Sequence, residues 1–244
     1  AADGDEDFWV MEAGISHPND MDELGPMLRP DLAIILNVGA GHSLGLGDKG
    51  TAYYKSRLLA HIAPGGRALV SADYDDLARE ALALRPDTVF FSIRGADVPY
   101  RAEYLGLDET GRGNYRLWLD GEELTVNCAL SGPYAAENII AAAAAAHLSG
   151  LNAGEIRKGV EEAPFPAQRF ARHELPGWTV IDDTYNANPL SARRMLEAAA
   201  ELARGRDFVC VMGAMGELGD VAEEEHERLG RELALSGCKA VFWT

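Results

Sequence analysis

The chain has 244 residues, of which 47% are hydrophobic, which is enough for one large domain or two modest ones. Lysine and arginine number 22 against 39 acidic residues, so the formal net charge is −17. Such a surface repels nucleic acid and anionic membranes, and we expect neither as a partner. No apolar run is long enough to span a membrane and the N-terminus does not resemble a signal peptide, so we expect a cytoplasmic protein.

The three cysteines are far apart in the sequence. Cys128 and Cys210 lie in apolar, strand-like segments, which favours buried reduced thiols, and no spacing indicates zinc. An acidic protein that binds an anionic substrate needs local positive charge. Mg²⁺, helix N-termini or a few placed cationic side chains would supply it.

The first part of the chain alternates strand and helix patterns, which predicts α/β architecture with a parallel sheet and crossover helices. From Tyr100 to Ala129 short alternating segments broken by glycine predict antiparallel hairpins at one edge of the same domain. The predicted strands are 8–13, 31–38, 67–71 and 88–92, and the predicted helices are 51–62, 75–84, 134–149 and 152–163. Asn152 and Glu155 form a capping-box-like start of the last helix.

Pro164-Phe-Pro166 interrupts these patterns and is the predicted domain boundary. A second βαβαβ series follows, which predicts a Rossmann-like domain. Its strands are predicted at 178–182, 207–212 and 239–243, with helices at 191–203 and 221–235. The chain starts and stops close to predicted strands, so both ends look cut.

The most polar turn is Asp182-Asp-Thr-Tyr-Asn-Ala-Asn-Pro189, between a predicted strand and a predicted helix. Such turns at the carboxyl ends of parallel strands carry ligand contacts in α/β proteins. A turn with a helix cap would explain Asn188 and Pro189. It would not explain Asp182, Asp183, Tyr185 and Asn186 together, so we predict a binding site.

Other candidate residues follow the first two predicted strands. Glu12 ends the first, and Asn37 and His42 flank the turn after the second, so together they favour a hard-cation site such as Mg²⁺. A histidine ligand is unusual for Mg²⁺, and His42 alone is more typical of a structural residue. From spacing alone, Lys55 is more typical of a solvated lysine. The chain contains no G-x-x-x-x-G-K-[ST] phosphate loop.

These residues resemble the motifs of the Mur ligase family, the ATP-dependent amide-bond ligases of peptidoglycan synthesis, and most of all its MurF type. The run Tyr185-Asn-Ala-Asn-Pro189 is the most specific match, and the motifs occur in family order over nearly the whole chain. The supporting matches are Glu12-Ala-Gly14, Asn37-Val-Gly-Ala-Gly-His42, Lys55, Asn138-Ile-Ile-Ala-Ala, Arg169, Asp182-Asp183 and Gly213-Ala-Met-Gly-Glu-Leu-Gly219.

The resemblance implies two partial domains. Residues 1–168 would be the central ATP- and Mg²⁺-binding domain without its phosphate loop, and residues 169–244 the first part of the Rossmann-like C-terminal ligase domain. The UDP-binding domain would also be missing, so we expect this fragment to be inactive alone.

The resemblance also implies residue roles. Glu12, His42 and Lys55 would be the catalytic metal-binding set, with Lys55 carbamylated, because a buried amine of lowered pKa can add carbon dioxide and become an oxygen ligand. The implied ATP contacts are Asn138 (adenine), Arg169 (phosphates), Asp183 (ribose) and Tyr185. The implied substrate contacts are Asn37, Asn186 and Asn188.

The implied reaction adds D-alanyl-D-alanine to UDP-N-acetylmuramoyl-tripeptide through an acyl phosphate, with ATP and Mg²⁺, in a protein expected to be monomeric. The alternatives are another Mur-type or folylpolyglutamate-synthase-like ligase, or a non-catalytic nucleotide-binding relative. The departures from the family pattern are Leu44, Arg57, Tyr134-Ala135 and Gln168. Those at Leu44, Arg57 and Ala135 keep the last alternative open.

Overall fold

The computed structural model describes residues 4–38, 49–164, 168–216 and 218–244. Its main feature is a six-stranded sheet whose strands lie in the order of the chain. The first four strands are parallel, whereas the last two pair antiparallel at one edge. Both features confirm the sequence prediction. The strands are β1 Leu32–Ile35, β2 Arg67–Ser71, β3 Val89–Ser92, β4 Tyr100–Leu107, β5 Gly113–Leu119 and β6 Glu122–Cys128.

Helices cover both faces of this sheet. The alternation of side chains along β2 shows the two layers. Leu69 belongs to the core shared with helix Ala135–Leu148, whereas Ala68 and Val70 belong to the core shared with helices Asp20–Leu28 and Asp75–Leu84. All three residues are fully buried. The helices are α1 Asp20–Leu28, α2 Gly50–Ser56, α3 Asp75–Leu84, α4 Ala135–Leu148 and α5 Ala153–Glu162, with a 3-10 turn at Arg57–His61.

The residues from 168 onward form a second group of elements, which we call the second unit; the described residues up to 164 are the first unit. An antiparallel hairpin precedes two helices and a parallel strand pair. Its core includes Leu196, Met212 and Leu229. The elements are β7 Ala171–Leu175, β8 Trp178–Asp182, α6 Pro189–Ala203, β9 Val209–Met212, α7 Ala222–Leu235 and β10 Ala240–Trp243.

Two predictions about strands were wrong. Residues 8–13 form no strand, and Val10 is 94% exposed, because none of the described strands lies beside this segment to satisfy its backbone. The 178–182 strand forms, but β8 pairs with β7 instead of joining the β9–β10 pair. The turn Pro176-Gly177, with Gly177 at φ +82°, makes that hairpin possible.

Helix α1 was not predicted. It contains Pro26, whose missing N–H weakens the helical pattern, yet Met21 and Gly25 are buried against the rest of the first unit. The expected buried thiols are confirmed, since Cys128 and Cys210 are buried and free. No helix in the described ranges is long and apolar enough to cross a membrane.

The predicted capping box at α5 is confirmed and gives a stability prediction. The Asn152 side chain accepts hydrogen bonds from the backbone N–H groups of Gly154 (2.9 Å) and Glu155 (3.1 Å). We expect Asn152→Ala to lower the free energy of unfolding by about 1 kcal/mol in urea titrations followed by circular dichroism. Asn152→Asp keeps an acceptor and should lose less; an equal loss in both variants would contradict the capping role.

Candidate functional site

The turn after β8 is bound to the segment that precedes β7. The backbone N–H of Tyr185 donates to the Gln168 carbonyl oxygen (3.1 Å), and the N–H of Phe170 donates to Asp183 Oδ1 (2.9 Å). The Arg169 guanidinium lies 4.0 Å from the centre of the Tyr185 ring. Three of the predicted ATP contacts, from both ends of the hairpin, therefore lie together.

The two adjacent acids of this turn have different environments. Asp182 accepts from the backbone N–H (3.1 Å) and hydroxyl (2.7 Å) of Thr184, so it stabilises its own turn. Asp183 is half-buried, and burial raises its pKa, although the Phe170 N–H and Arg169 oppose the shift. A partly desolvated carboxylate can accept a hydrogen bond from a ligand hydroxyl with less competition from water than a fully exposed one.

Asn188 has a structural role as the N-cap of α6. Its Oδ1 accepts from the Ser191 N–H (2.9 Å), and the Ser191 hydroxyl accepts from the Asn188 N–H (3.1 Å). Helix α6 begins at Pro189, which confirms the cap interpretation of this end of the turn. A substrate contact by Asn188 would thus use its amide nitrogen, whereas Asn186 is exposed.

The segment around Arg169 has an unusual backbone. Gln168 has φ +63° and Phe170 has φ +53°, a left-handed conformation that side chains with a Cβ disfavour. At the first of these positions the resembling family usually has glycine. Gln168 therefore has a side chain at a position where the backbone conformation favours glycine, directly before the arginine that contacts Tyr185.

This strain can be measured. We expect Gln168→Gly to raise the free energy of unfolding by up to about 1 kcal/mol, since relief of the left-handed strain exceeds the greater entropy of the unfolded glycine chain. Gln168→Ala is the matched control, because it removes the same side chain but keeps the Cβ, and it should bring no gain. Loss of stability in Gln168→Gly would show that the strain is absent.

Lys55 and Asn37 are brought together by the structure. The Lys55 ammonium donates to the Asn37 carbonyl oxygen (2.9 Å), just beyond the carboxyl end of β1. Burial lowers the pKa of Lys55. The solvated-lysine interpretation is therefore wrong, and the amine has the desolvated setting that carbamylation needs.

The other two predicted metal ligands are Glu12 and His42. Glu12 lies on the exposed segment before α1, and His42 lies outside the described residues. Among the described residues no group of three or more His, Cys, Asp or Glu side chains could hold a metal ion. The predicted Mg²⁺ site therefore remains a prediction.

Arg57, one of the departures, is engaged in an ion pair. Its guanidinium binds the Asp22 carboxylate through Nε (3.2 Å) and Nη2 (2.9 Å), and His61 Nε2 lies 3.1 Å from the same carboxylate. The bidentate pair holds α1 against the 3-10 turn, and Arg57 lowers the pKa of Asp22. Arg57 is thus a structural residue in this chain.

Asn138, the predicted adenine contact, is exposed in the first turns of α4, and its neighbour Glu137 is fully buried. Glu137 accepts from the Tyr74 hydroxyl (3.0 Å) and pairs with Arg194 of α6 (3.0 Å). Burial and Glu137 raise the pKa of Tyr74 to about 12, so its hydroxyl stays protonated. The sequence analysis did not identify this cluster, although a glutamate inside an alanine-rich helix was its signal.

The lowered pKa of Lys55 gives a prediction about its titration. The sequence has four lysines, so 13C-methylated amines can be assigned by single substitutions. We expect the midpoint of Lys55 to lie below the ordinary value of about 10.4. The unfolded chain then binds more protons between the two values, so the Lys55 contribution to stability rises with pH across that window.

The reference for this titration is Lys158, which is exposed on α5. A Lys55 midpoint equal to that of Lys158 would contradict the desolvated amine. Lys55→Gln should remove the shifted signal and leave the other three unchanged.

The sequence matches two family domains. Residues 1–146 match the Mur ligase middle domain, and residues 168–244 match the Mur ligase glutamate ligase domain. The UDP-N-acetylmuramoyl-tripeptide–D-alanyl-D-alanine ligase of Mycobacterium bovis is 30% identical over 239 residues, covering 92% of this chain and 45% of the relative. The enzyme of the same name from Synechocystis is 29% identical and is covered to 50%. The chain thus spans about half the length of these relatives.

Solved structures agree with these matches. MurF from Acinetobacter baumannii has a TM-score of 0.78 at 30% identity, covering 94% of this chain and 54% of that one. MurF from Thermotoga maritima in complex with ADP has a TM-score of 0.80 at 27% identity, covering 93% and 52%. The mostly parallel sheet, the second unit and the domain matches together lead to one conclusion: this chain belongs to the Mur ligase family.

Proposed function

We propose that the protein carrying this chain is an ATP-dependent ligase that adds D-alanyl-D-alanine to UDP-N-acetylmuramoyl-tripeptide. The observation that carries the proposal is the assembly of Arg169, Asp183 and Tyr185 at one turn, in a chain about 30% identical to ligases of that name. Because ATP drives the reaction, we place it in the cytoplasm.

The nucleotide would be bound from two sides. Asn138 is exposed on the first unit and can offer both an amide donor and a carbonyl acceptor to adenine. Arg169 is exposed on the second unit and can bind phosphate oxygens, while half-buried Asp183 can accept from a ribose hydroxyl. Tyr185, which is 64% exposed, holds the Arg169 guanidinium in place.

The proposed reaction also requires Mg²⁺ bound to the phosphates of ATP. When bound, it would offset the negative charge on the transferring phosphoryl group. Lys55 fits such a site as a carbamate, because its amine is desolvated at the end of β1. Glu12 and His42 stay in the proposal as the remaining ligands.

The proposed reaction has two steps. The γ-phosphoryl group of ATP moves to the tripeptide carboxylate and gives an acyl phosphate and ADP. The amine of D-alanyl-D-alanine then attacks the acyl carbon, loses a proton, and phosphate leaves. Asn186 and the amide nitrogen of Asn188 would face the incoming dipeptide from the exposed turn.

The decisive experiment is a phosphate-release assay on the whole protein with ATP, Mg²⁺ and UDP-N-acetylmuramoyl-tripeptide. We expect turnover with D-alanyl-D-alanine and none with single amino acids. Turnover only with a single amino acid would assign another Mur-type or folylpolyglutamate-synthase-like activity instead.

Nucleotide binding tests the site directly. We expect Asn138→Ala to weaken ATP binding about tenfold in calorimetry, because an adenine hydrogen-bond partner worth about 1.4 kcal/mol is lost. Asn19→Ala is the matched control: Asn19 is also an exposed asparagine, and its side chain makes no capping hydrogen bond at α1. Equal affinities of the two variants would remove Asn138 from the site.

One observation favours a second candidate, a non-catalytic nucleotide-binding relative. Arg57 stands where the family often has glutamate, and it is fully engaged with Asp22. ATP binding without phosphate release from any of the tested substrates would assign this role.

A further inference from the structure

Glu137 of the first unit is a buried acidic residue that needs a compensating positive charge. Its side chain is 1% exposed, on a helix whose other buried residues are almost all alanine or isoleucine. A buried carboxylate is unfavourable unless a cation and hydrogen bonds compensate it. Tyr74 supplies a hydroxyl donor at 3.0 Å, but a hydroxyl leaves the negative charge unbalanced.

The compensating cation comes from the second unit. Arg194 Nη2 lies 3.0 Å from Glu137 Oε2, and the Arg194 side chain is only 18% exposed. The guanidinium also lies 4.3 Å from the centre of the Tyr134 ring. A planar guanidinium can pair with a carboxylate and stack on a ring at the same time, which an ammonium does less well.

Two more residues on the same face of α6, Ala198 and Glu201, contact the first unit. A Cβ at Gly132 would lie 3.3 Å from Ala198 Cβ, and the Tyr104 hydroxyl donates to Glu201 (2.8 Å). Residues 194, 198 and 201 recur every three or four positions and share one face. The opposite face, with Ala192 and Leu196, packs into the core of the second unit.

We propose that Glu137 and Arg194 form an interdomain latch that sets the position of α6 on α4. The latch favours one arrangement of the two units, because the largely buried charges of Glu137 and Arg194 compensate each other only in that arrangement. The consequence for the nucleotide rests on the proposed function: Asn138 directly follows Glu137, and α6 begins at the turn that carries Asp183 and Tyr185. The latch would therefore fix the spacing between the two halves of the ATP site.

The latch determines arrangement more than stability. Arg194 Nε is buried without a hydrogen-bond partner in the part of the chain that the structure describes. A buried ion pair with unsatisfied groups contributes little net stability, yet loss of one partner leaves an uncompensated charge. Such a pair favours one domain position and can still be released.

Small-angle X-ray scattering of the whole chain tests the latch. In Arg194→Gln or Glu137→Gln one buried charge loses its partner and must be hydrated, so we expect the radius of gyration to increase. In the double variant neither charge is buried, so we expect the radius to return towards the wild-type value. Equal radii for the wild type and both single variants would overturn the proposal, as would a double variant as open as the two changes combined.

The matched control is Arg193→Gln. Arg193 is the neighbouring residue on α6 and pairs with Glu232 of α7 at the same 3.0 Å distance, but both residues belong to the second unit. Its loss should leave the radius unchanged; an equal increase would show that any α6 ion pair has this effect and would overturn the latch. If Arg194→Gln does not fold, Arg194→Lys replaces it, because lysine keeps the charge but not the planar group. We expect its radius of gyration to exceed the wild-type value, and a radius equal to that of the wild type would count against the latch.

These measurements contain no nucleotide. A failed latch would leave the Asn138→Ala binding result unaffected, and a failed ligase assay would leave the scattering result unaffected. The two proposals can thus be rejected separately.

Discussion

A buried negative charge must be balanced, and in this chain the balance of Glu137 comes from another domain-sized unit. The first unit contains all six strands of its sheet and the helices on both faces. It cannot compensate Glu137 with the Tyr74 hydroxyl alone, and the cation that completes the site is Arg194. Together with the hydrogen bonds that Arg172, Glu201 and Arg204 make to the first unit, that pairing positions the second unit on the first.

The polar turn after β8 is held more firmly than its exposure indicates. One backbone hydrogen bond and the Asp183 carboxylate join it to the segment that precedes β7, and Arg169 stacks on Tyr185. Asn188 commits its side-chain oxygen to the helix. The turn thus combines solvent-exposed side chains with a conformation that is already held by hydrogen bonds, which would reduce the ordering cost of the proposed ligand binding.

Local signals predicted much of this structure, because they depend on neighbours in sequence. The short apolar run at 67–71 predicted β2, the helical pattern at 75–84 predicted α3, and the Asn152 capping box predicted the start of α5. Long-range facts were beyond such signals. Strand pairing within the described ranges leaves residues 8–13 without a neighbouring strand and places β8 beside β7. The Lys55 amine donates to the carbonyl of Asn37, eighteen residues away. Glu137 looked like one acid in an alanine-rich helix, since its partner lies 57 residues further on.

Helix α6 has little surface that is left to itself. Its apolar face packs in the second unit, its polar face contacts the first unit, and its first turn caps the polar turn after β8. A substitution in α6 must therefore be compatible with the packing of both units. We expect α6 to evolve slowly and in step with α4, so that accepted changes at position 194 accompany changes at 137, while helices such as α5, with one buried residue, vary freely.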